Sequence, residues 1–290
     1  MYNAIKKYSI SLTKKILESY YWILVESRIT RKKRRCNEIK ISVAITHYNR
    51  SSIAHLPLKN TYNDEVVDEI VYLDDGSSEK EFSNLIKRLK PFSDKVKCYR
   101  RSTNQGVLTT KVQAVSLCSN DWVILLDSDN YITQKYLDSF LSIKSPSFNT
   151  IYCPSAALPN YNFNHFIGSK IDLHSSSNII NSNISNKTFL NQGNYIVPKS
   201  RFIDAIKIHA TESDIFYRAD ACDVYILNYC FLKNGGNLQV MENAPYCHKV
   251  HDGSIFRSEK KKSSAFREAL FSHWAKKDFI SISDIAHLLK

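Results

Sequence analysis

Residues 121–130, DWVILLDSDN, limit the fold more than any other stretch of the chain. Trp122 to Leu126 is an unbroken apolar run of strand formers between polar flanks, which is the pattern of a strand buried on both faces. The run ends in Asp127-Ser128-Asp129. Two carboxylates one residue apart at the end of a rigid strand repel each other unless a cation sits between them. An oxygen-seeking divalent ion such as Mg²⁺ or Mn²⁺ meets that need, and it brings the phosphates of a nucleotide with it. D-x-D is also a common tripeptide at an ordinary strand-to-loop turn, so the rest of the chain has to decide between the two.

The same plan recurs upstream. Residues 39–46 (IKISVAIT) form a β-branched run that breaks at His47-Tyr48-Asn49-Arg50, and residues 69–73 (EIVYL) break at Asp74-Asp75-Gly76-Ser77-Ser78. Gly76 supplies turn geometry, and Ser77 or Ser78 can cap a helix over 79–89. Residues 96–100 read as a third strand. Asn104-Gln105-Gly106 then opens a helical stretch to about Cys118 that feeds the Asp121–Asp127 strand. Strands alternating with helices at this spacing predict a parallel, doubly wound sheet. In such a sheet, ligands bind beyond the carboxyl ends of the strands. The polar clusters at 46–50, 74–77 and 127–130 all lie at carboxyl ends, so one crevice is expected to collect them.

Size and composition agree with this reading. The chain has 290 residues, 43% of them apolar, enough for one large α/β domain with extensions. No stretch reaches the length of an uncharged membrane span, and no compact apolar block with a cleavage site marks a signal peptide. Seven cysteines without a C-x-x-C pair indicate neither a zinc cage nor a disulfide framework, and suit free thiols in a reducing cytosol. The net charge of +12 belongs to the ends: residues 1–40 hold 11 Lys/Arg against 3 Asp/Glu and residues 255–290 hold 8 against 4, while the centre is balanced. Residues 1–30 suit an amphipathic helix followed by the basic run 31–35. This is either a peripheral anchor on an anionic membrane face or a solvated helix docked on its own core. No nucleic-acid module is visible, and no nucleic-acid partner is expected.

The order SVAITHYNR, VYLDDGSS, N-Q-G, DSDN, a late DVYI and YCHKVHDGS resembles glycosyltransferase family 2, nucleotide-sugar transferases of the GT-A fold. The resemblance implies an α/β, Rossmann-like domain over 39–255 with a mostly parallel central sheet and helices on both faces. A basic helical extension (1–38) and a helical tail (256–290) would flank it. By similarity, Thr46, Tyr48 and Asn49 lie at the nucleotide, with Tyr48 stacking on the base and Asp75 accepting from a uracil N–H. Asn104 and Gly106 match the family's N-x-G, and Lys111 falls where an Arg is usual, as a cation for phosphate. Asp127 and Ser128 would reach the ribose or a metal-bound water. Asp129, with Asp127 and His248 as further ligands, would hold Mn²⁺ or Mg²⁺, and His251 would contact the diphosphate. Gly193, in N-Q-G-N-Y-I-V, would let the backbone approach the donor closely. Asp223, at the start of an amphipathic helix, would be the base of an inverting transfer, with Asp220 the runner-up because Cys222 stands where an acidic residue is usual.

The implied activity is transfer of a sugar from a nucleotide donor, a UDP-sugar first of all. The acceptor would be a glycan or lipid-linked oligosaccharide of surface polysaccharide synthesis, with the enzyme cytoplasmic and peripheral on the inner membrane face. Two alternatives stay open. A degenerate module could bind nucleotide sugar without turnover. A nucleotidyltransferase should carry a glycine- and lysine-rich phosphate loop after the first strand, and residues 46–52 contain no glycine. Residues 155–187, rich in Asn, Ser and His with little periodicity, read as variable acceptor loops or a partly disordered insertion.

Overall fold

The computed structural model describes residues 39–210, 222–249 and 264–289. The basic N-terminal stretch, Asp220 and His251 lie outside them. The first four strands are β1 (Ile41–His47), β2 (Val67–Asp74), β3 (Val96–Arg100) and β4 (Trp122–Asp127). They are followed by β5 (Tyr131–Ile132), β6 (Thr150–Cys153), β7 (Ala156–Leu158), β8 (Tyr161–Asn162), β9 (Lys170–Ile171), β10 (Ile196–Pro198), β11 (Asn237–Val240) and β12 (Pro245–Cys247). The larger sheet runs β3-β2-β1-β4-β10-β6-β11-β9. β3, β2, β1 and β4 are mutually parallel. β10 is antiparallel to both β4 and β6, so β6 points the same way as β4, and β11 lies parallel to β6. Six strands therefore share one carboxyl edge, as a mostly parallel α/β sheet requires.

All seven residues of β1 are buried, as are Val123 to Leu126 of β4. That burial explains the uninterrupted apolar runs: a strand covered on both faces gains nothing from alternation. Each such side chain contributes about 1.5–3 kcal/mol relative to exposure. Registry places Thr46 beside Asp127 and His47 beside Asp74, so the ends of β1, β2 and β4 are level.

The helices are α1 (Glu79–Leu89), α2 (Val107–Ser116), α3 (Gln134–Leu141), α4 (Leu173–Ile180), α5 (Lys199–Ala210), α6 (Asp223–Lys233) and α7 (Ser264–Lys276). α1 begins and ends where expected. Ser78 caps it, accepting from the Glu81 N–H, while Glu79 and Glu81 at its start and Lys87 and Arg88 at its end complement the helix dipole. The Glu81 carboxylate is turned away from its own helix and accepts from the Ser51 N–H, tying α1 to the loop after β1.

Residues 155–187 hold more order than their weak periodicity predicts. Three short strands and α4 lie there, and Asp172 and Ser175 form a reciprocal capping box. Strands of two or three residues are too short to show alternation, which is why the sequence carries no pattern for them. β7 and β8 join β5 and β12 in a second sheet, ordered β5-β12-β7-β8. Its members follow the carboxyl ends of β4, β6 and β11 within a few residues, so this small sheet stands at the same edge as the crevice. The C-terminal α7 packs on the domain: Trp274 is buried, donates to Ser176 Oγ at 2.8 Å and meets the Tyr229 ring edge-on. The described residues from 39 onward form one compact unit. Among the described residues no helix is long and apolar enough to cross a membrane. The described cysteines are free, and all but Cys98 are buried.

Candidate active site

At the carboxyl edge stands a three-charge cluster, with Lys111 and Asp223 buried and Asp127 partly exposed. Lys111, on α2, reaches across to Asp127 Oδ1 at 3.1 Å and to Asp223 Oδ2 at 2.7 Å. The lysine is 3% exposed, so its charge is balanced almost wholly by these two carboxylates. Burial alone would depress its pKa, but Asp127 and Asp223 outweigh that and hold it far above the ordinary lysine value. Burial pushes Asp127 up too, yet Lys111 and the Asn194 amide bring it below the usual carboxylate range. Asp223 goes the other way. Burial raises its pKa, Lys111 opposes the rise, and the neighbouring Asp127 charge adds to it, so Asp223 sits above an ordinary aspartate. Two carboxylates sharing one buried cation make a site in which burial and charge both act on proton affinity, which marks it as a candidate functional centre.

Lys111, expected as a cation for phosphate, has its ammonium engaged by these two carboxylates. Gly193 packs against α6. A Cβ there would come within 2.6 Å of Val224, so the glycine admits the first turn of α6, which carries Asp223, with Lys111 Nζ 3.5 Å away.

Asp127 is fixed on its other side by amides. Asn194 Nδ2 donates to Asp127 Oδ2 at 3.2 Å, Asn130 Nδ2 lies 3.4 Å from the same oxygen, and Asn194 Oδ1 accepts the Asp127 N–H at 3.0 Å. Asn194 is in turn placed by Gln192, whose own amide donates to Tyr246 OH. Asp129 pairs with Arg50, Nη1 to Oδ2, at 2.9 Å. This contact joins the loop after β1 to the loop after β4. Arg50 belongs to the HYNR motif, but the sequence gives no sign of its role, because a pairing across 79 positions leaves no local trace.

On the β2 side, Asp75 is 3% exposed and accepts at Oδ1 from Arg101 Nη1 at 3.2 Å and from the Gln105 N–H at 3.0 Å. The loop holding Asn104 and Gly106 is therefore clamped onto Asp75. Gly76, at φ +73°, packs so closely on it that a Cβ would meet the Thr103 and Asn104 backbone at 2.6 and 2.7 Å. Gly106 also has positive φ, +85°, as it leads into α2. Asp74 accepts from His47 Nδ1 at 2.9 Å and from Ser77; burial raises its pKa, but these bonds prevail and hold it low. Asn49, at φ +47°, donates its N–H to Ser77 Oγ and accepts the Ser78 N–H, locking the first two loops together. Tyr48 projects from this join at 40% exposure, whereas Thr46 and Ser128 are buried. His248 lies at the end of β12, with Nδ1 3.3 Å from Asn160 Nδ2. The next residue, Lys249, donates its N–H to Asn130 Oδ1 at 3.1 Å.

The structure thus brings Thr46, Tyr48, Asn49, Asp75, Asn104, Gly106, Lys111, Asp127, Ser128, Asp129, His248 and Asp223 to one edge of the molecule. Among the described residues no group of three or more His, Cys, Asp or Glu side chains is arranged to hold a metal ion. A Mg²⁺-type ion needs less from the protein, because one or two carboxylates plus substrate phosphates and water suffice. Asp127 holds Lys111 at Oδ1 and two amides at Oδ2, and Asp129 holds Arg50, so an ion at either carboxylate would share it with these partners.

Comparison with known proteins gives the same picture. The Glycosyl transferase family 2 model matches residues 42–200. No curated protein matches the chain at the level of sequence. Among solved structures, S. aureus TarS 1-349 in complex with UDP-GlcNAc has a TM-score of 0.56 at 16% identity, over 87% of this chain and 70% of that one. A second crystal structure of S. aureus TarS 1-349 gives 0.57 at 15% identity, over 86% and 72%. GalNAc-T7 with UDP, GalNAc and Mn²⁺ gives 0.54 at 11% identity, over 92% and 60%. At these identities the likeness is one of fold, and the fold is that of GT-A glycosyltransferases. One family model covers more than half of the chain, including every strand whose end builds the centre of the crevice, and the chain belongs to glycosyl transferase family 2.

Proposed function

We infer that this glycosyltransferase moves a sugar from a UDP-sugar onto a glycan or lipid-linked oligosaccharide with inversion, and that Asp223 is the base. The observation that carries the reading is the Asp223–Lys111–Asp127 cluster at the shared carboxyl edge. Inverting transfer requires a carboxylate that removes the acceptor hydroxyl's proton as that oxygen attacks the anomeric carbon, while the nucleoside diphosphate leaves from the opposite face. Asp223 has a proton affinity raised above that of an ordinary aspartate, chiefly by burial, as suits a base. Its place at the first turn of α6 keeps it fixed, and Lys111 holds its carboxylate in one orientation.

The nucleotide would lie over the loops after β1 and β2. Tyr48 offers an exposed ring for the base, and Asp75 offers Oδ2 to the uracil imide, since both of its protein bonds fall on Oδ1. The solved relatives with UDP or UDP-GlcNAc support the choice of uridine. A divalent ion, Mn²⁺ or Mg²⁺, would be held by Asp129 and would supply charge neutralisation to the departing diphosphate. Arg50, released from Asp129, has a guanidinium suited to the same phosphates. A cytoplasmic enzyme lying peripherally on the inner membrane face fits the basic ends of the sequence.

Thermal shift with UDP, GDP, CDP and dTDP, each with and without Mn²⁺, tests the donor class. Stabilisation by UDP above the other three, enlarged by Mn²⁺ and losing that enlargement in Asp129→Asn, is the expected result. Equal shifts for all four nucleotides would contradict it.

A further inference from the structure

Both hydrogen bonds that the Asp75 carboxylate takes from the described residues fall on one oxygen. Oδ1 accepts from Arg101 Nη1 at 3.2 Å and from the Gln105 N–H at 3.0 Å. Oδ2 accepts none, yet it is not one of the unpartnered polar atoms sealed from solvent, so it remains accessible. The backbone beneath is held as well. The Asp75 N–H donates to the His47 carbonyl at 2.9 Å, and Gly76 is packed against the Thr103 and Asn104 backbone.

Arg101 is held in place by a different element. Nε donates to Gln113 Oε1 at 2.6 Å, Nη1 to Thr110 Oγ1 at 3.0 Å and Nη2 to the Thr109 carbonyl at 3.2 Å, all on α2. Its backbone N–H donates to the Asp74 carbonyl at 2.9 Å, and the residue is buried. A planar guanidinium gripped by α2 through all three nitrogens cannot turn, so its remaining contact fixes which carboxylate oxygen faces inward. Lysine has the charge without the fork and could not impose this.

We propose that Arg101 is a positioning residue for base selection: it pins Asp75 Oδ1 so that Oδ2 stands as a fixed acceptor against the donor's base, favouring uracil over cytosine. The inference rests on the nucleotide placement above and adds what holds the acceptor there. Uracil carries N3–H at its pairing edge, whereas N3 of cytosine is a lone pair. An ionised carboxylate only accepts, so Oδ2 matches the first and repels the second. The two oxygens of a carboxylate are alike, but an amide has unlike ends. In Asp75→Asn the amide oxygen has to stay on the Arg101 and Gln105 donors, since the reverse would set an NH₂ against two N–H groups. The NH₂ then takes the position of Oδ2 and presents a donor, which fits cytosine N3 and clashes with uracil N3–H. A grip on one oxygen alone therefore turns a loss of charge into a reversal of base preference.

The test is isothermal titration calorimetry on the full chain with UDP and with CDP, at one fixed Mn²⁺ concentration. The wild type is expected to prefer UDP by about tenfold or more, and Asp75→Asn to prefer CDP by about tenfold. Arg101→Met should cut the wild-type preference about tenfold, and should shrink the reversal when combined with Asp75→Asn. Lost packing alone would weaken both nucleotides alike and leave their ratio unmoved. Asp75→Asn is isosteric and keeps both donors on Oδ1, so the reversal stays readable should the Arg101 variants fail to fold. A UDP preference retained by Asp75→Asn, or equal binding of the two nucleotides by it, would overturn the proposal. So would ratios that Arg101→Met leaves unchanged. Failure of the nucleotide reading shows separately, as a wild type that binds UDP no tighter than CDP, and it takes this proposal with it.

Discussion

Asp223, Lys111 and Asp127 form a unit in which each charge sets the others, so single substitutions have opposite signs. On the proposed role of Asp223 as the base, which requires it ionised, its raised pKa predicts that turnover rises with pH through a limb lying above the ordinary aspartate value. Asp127→Asn removes a negative neighbour and leaves Lys111 wholly to Asp223, so that limb should move to lower pH. Lys111→Met removes the cation that opposes burial and should move it to higher pH. It also leaves two carboxylates unpaired in a buried site, for a stability loss of about 3–5 kcal/mol at neutral pH. A profile of kcat/KM against pH for the three proteins, with denaturant melts alongside, reads both effects. Limbs at one pH in all three would show that the cluster does not govern the proton.

At the scale of elements, the amino edge of the sheet is held as tightly as the carboxyl edge. Glu69 on β2 accepts from Ser42 Oγ of β1, from the Ser119 N–H and Oγ before β4, and from Lys97 of β3. Burial alone would raise its pKa, but these bonds lower it to about 2 from an ordinary 4.5. The lowered value means that its stabilisation is present above about pH 4.5 and is lost as pH falls toward 2. Glu69→Gln should cost about 2–3 kcal/mol at pH 7 and flatten the acid side of the stability profile. An unchanged acid limb would refute this. The long elements were legible for a simple reason: β1, β2, β4 and α1 carry their own apolar runs and caps in contiguous residues. Their order alone implied a shared carboxyl edge. The second sheet was not legible, because β5, β7, β8 and β12 have two or three residues each and are held by pairing across the chain. Arg50, Arg101 and Asn194 escaped for a related reason, since their partners are far away in sequence. The contacts of Lys111 and Gly193 with α6 were not legible, because α6 carries no sequence mark of where it docks.

For the whole molecule, the sequence is charge-balanced over residues 41–254 and basic at both ends, and the proposal assigns chemistry to the first and membrane contact to the second. The proposed membrane contact belongs to the ends, so replacing the five basic residues at 31–35 by serine should abolish flotation with anionic liposomes and leave donor hydrolysis unchanged. Unaltered flotation would defeat that assignment. The proposed chemistry rests on distant carboxylates meeting around Lys111 at one rim of the sheet. Its most direct test is the rate of UDP release from a UDP-sugar with acceptor present, in the wild type and in Asp223→Asn, with UDP affinity measured in both. The expected result is a loss of about 10²–10⁴-fold in turnover at unchanged UDP affinity. Wild-type turnover in Asp223→Asn would show that the proton is taken elsewhere and that this cluster is structural.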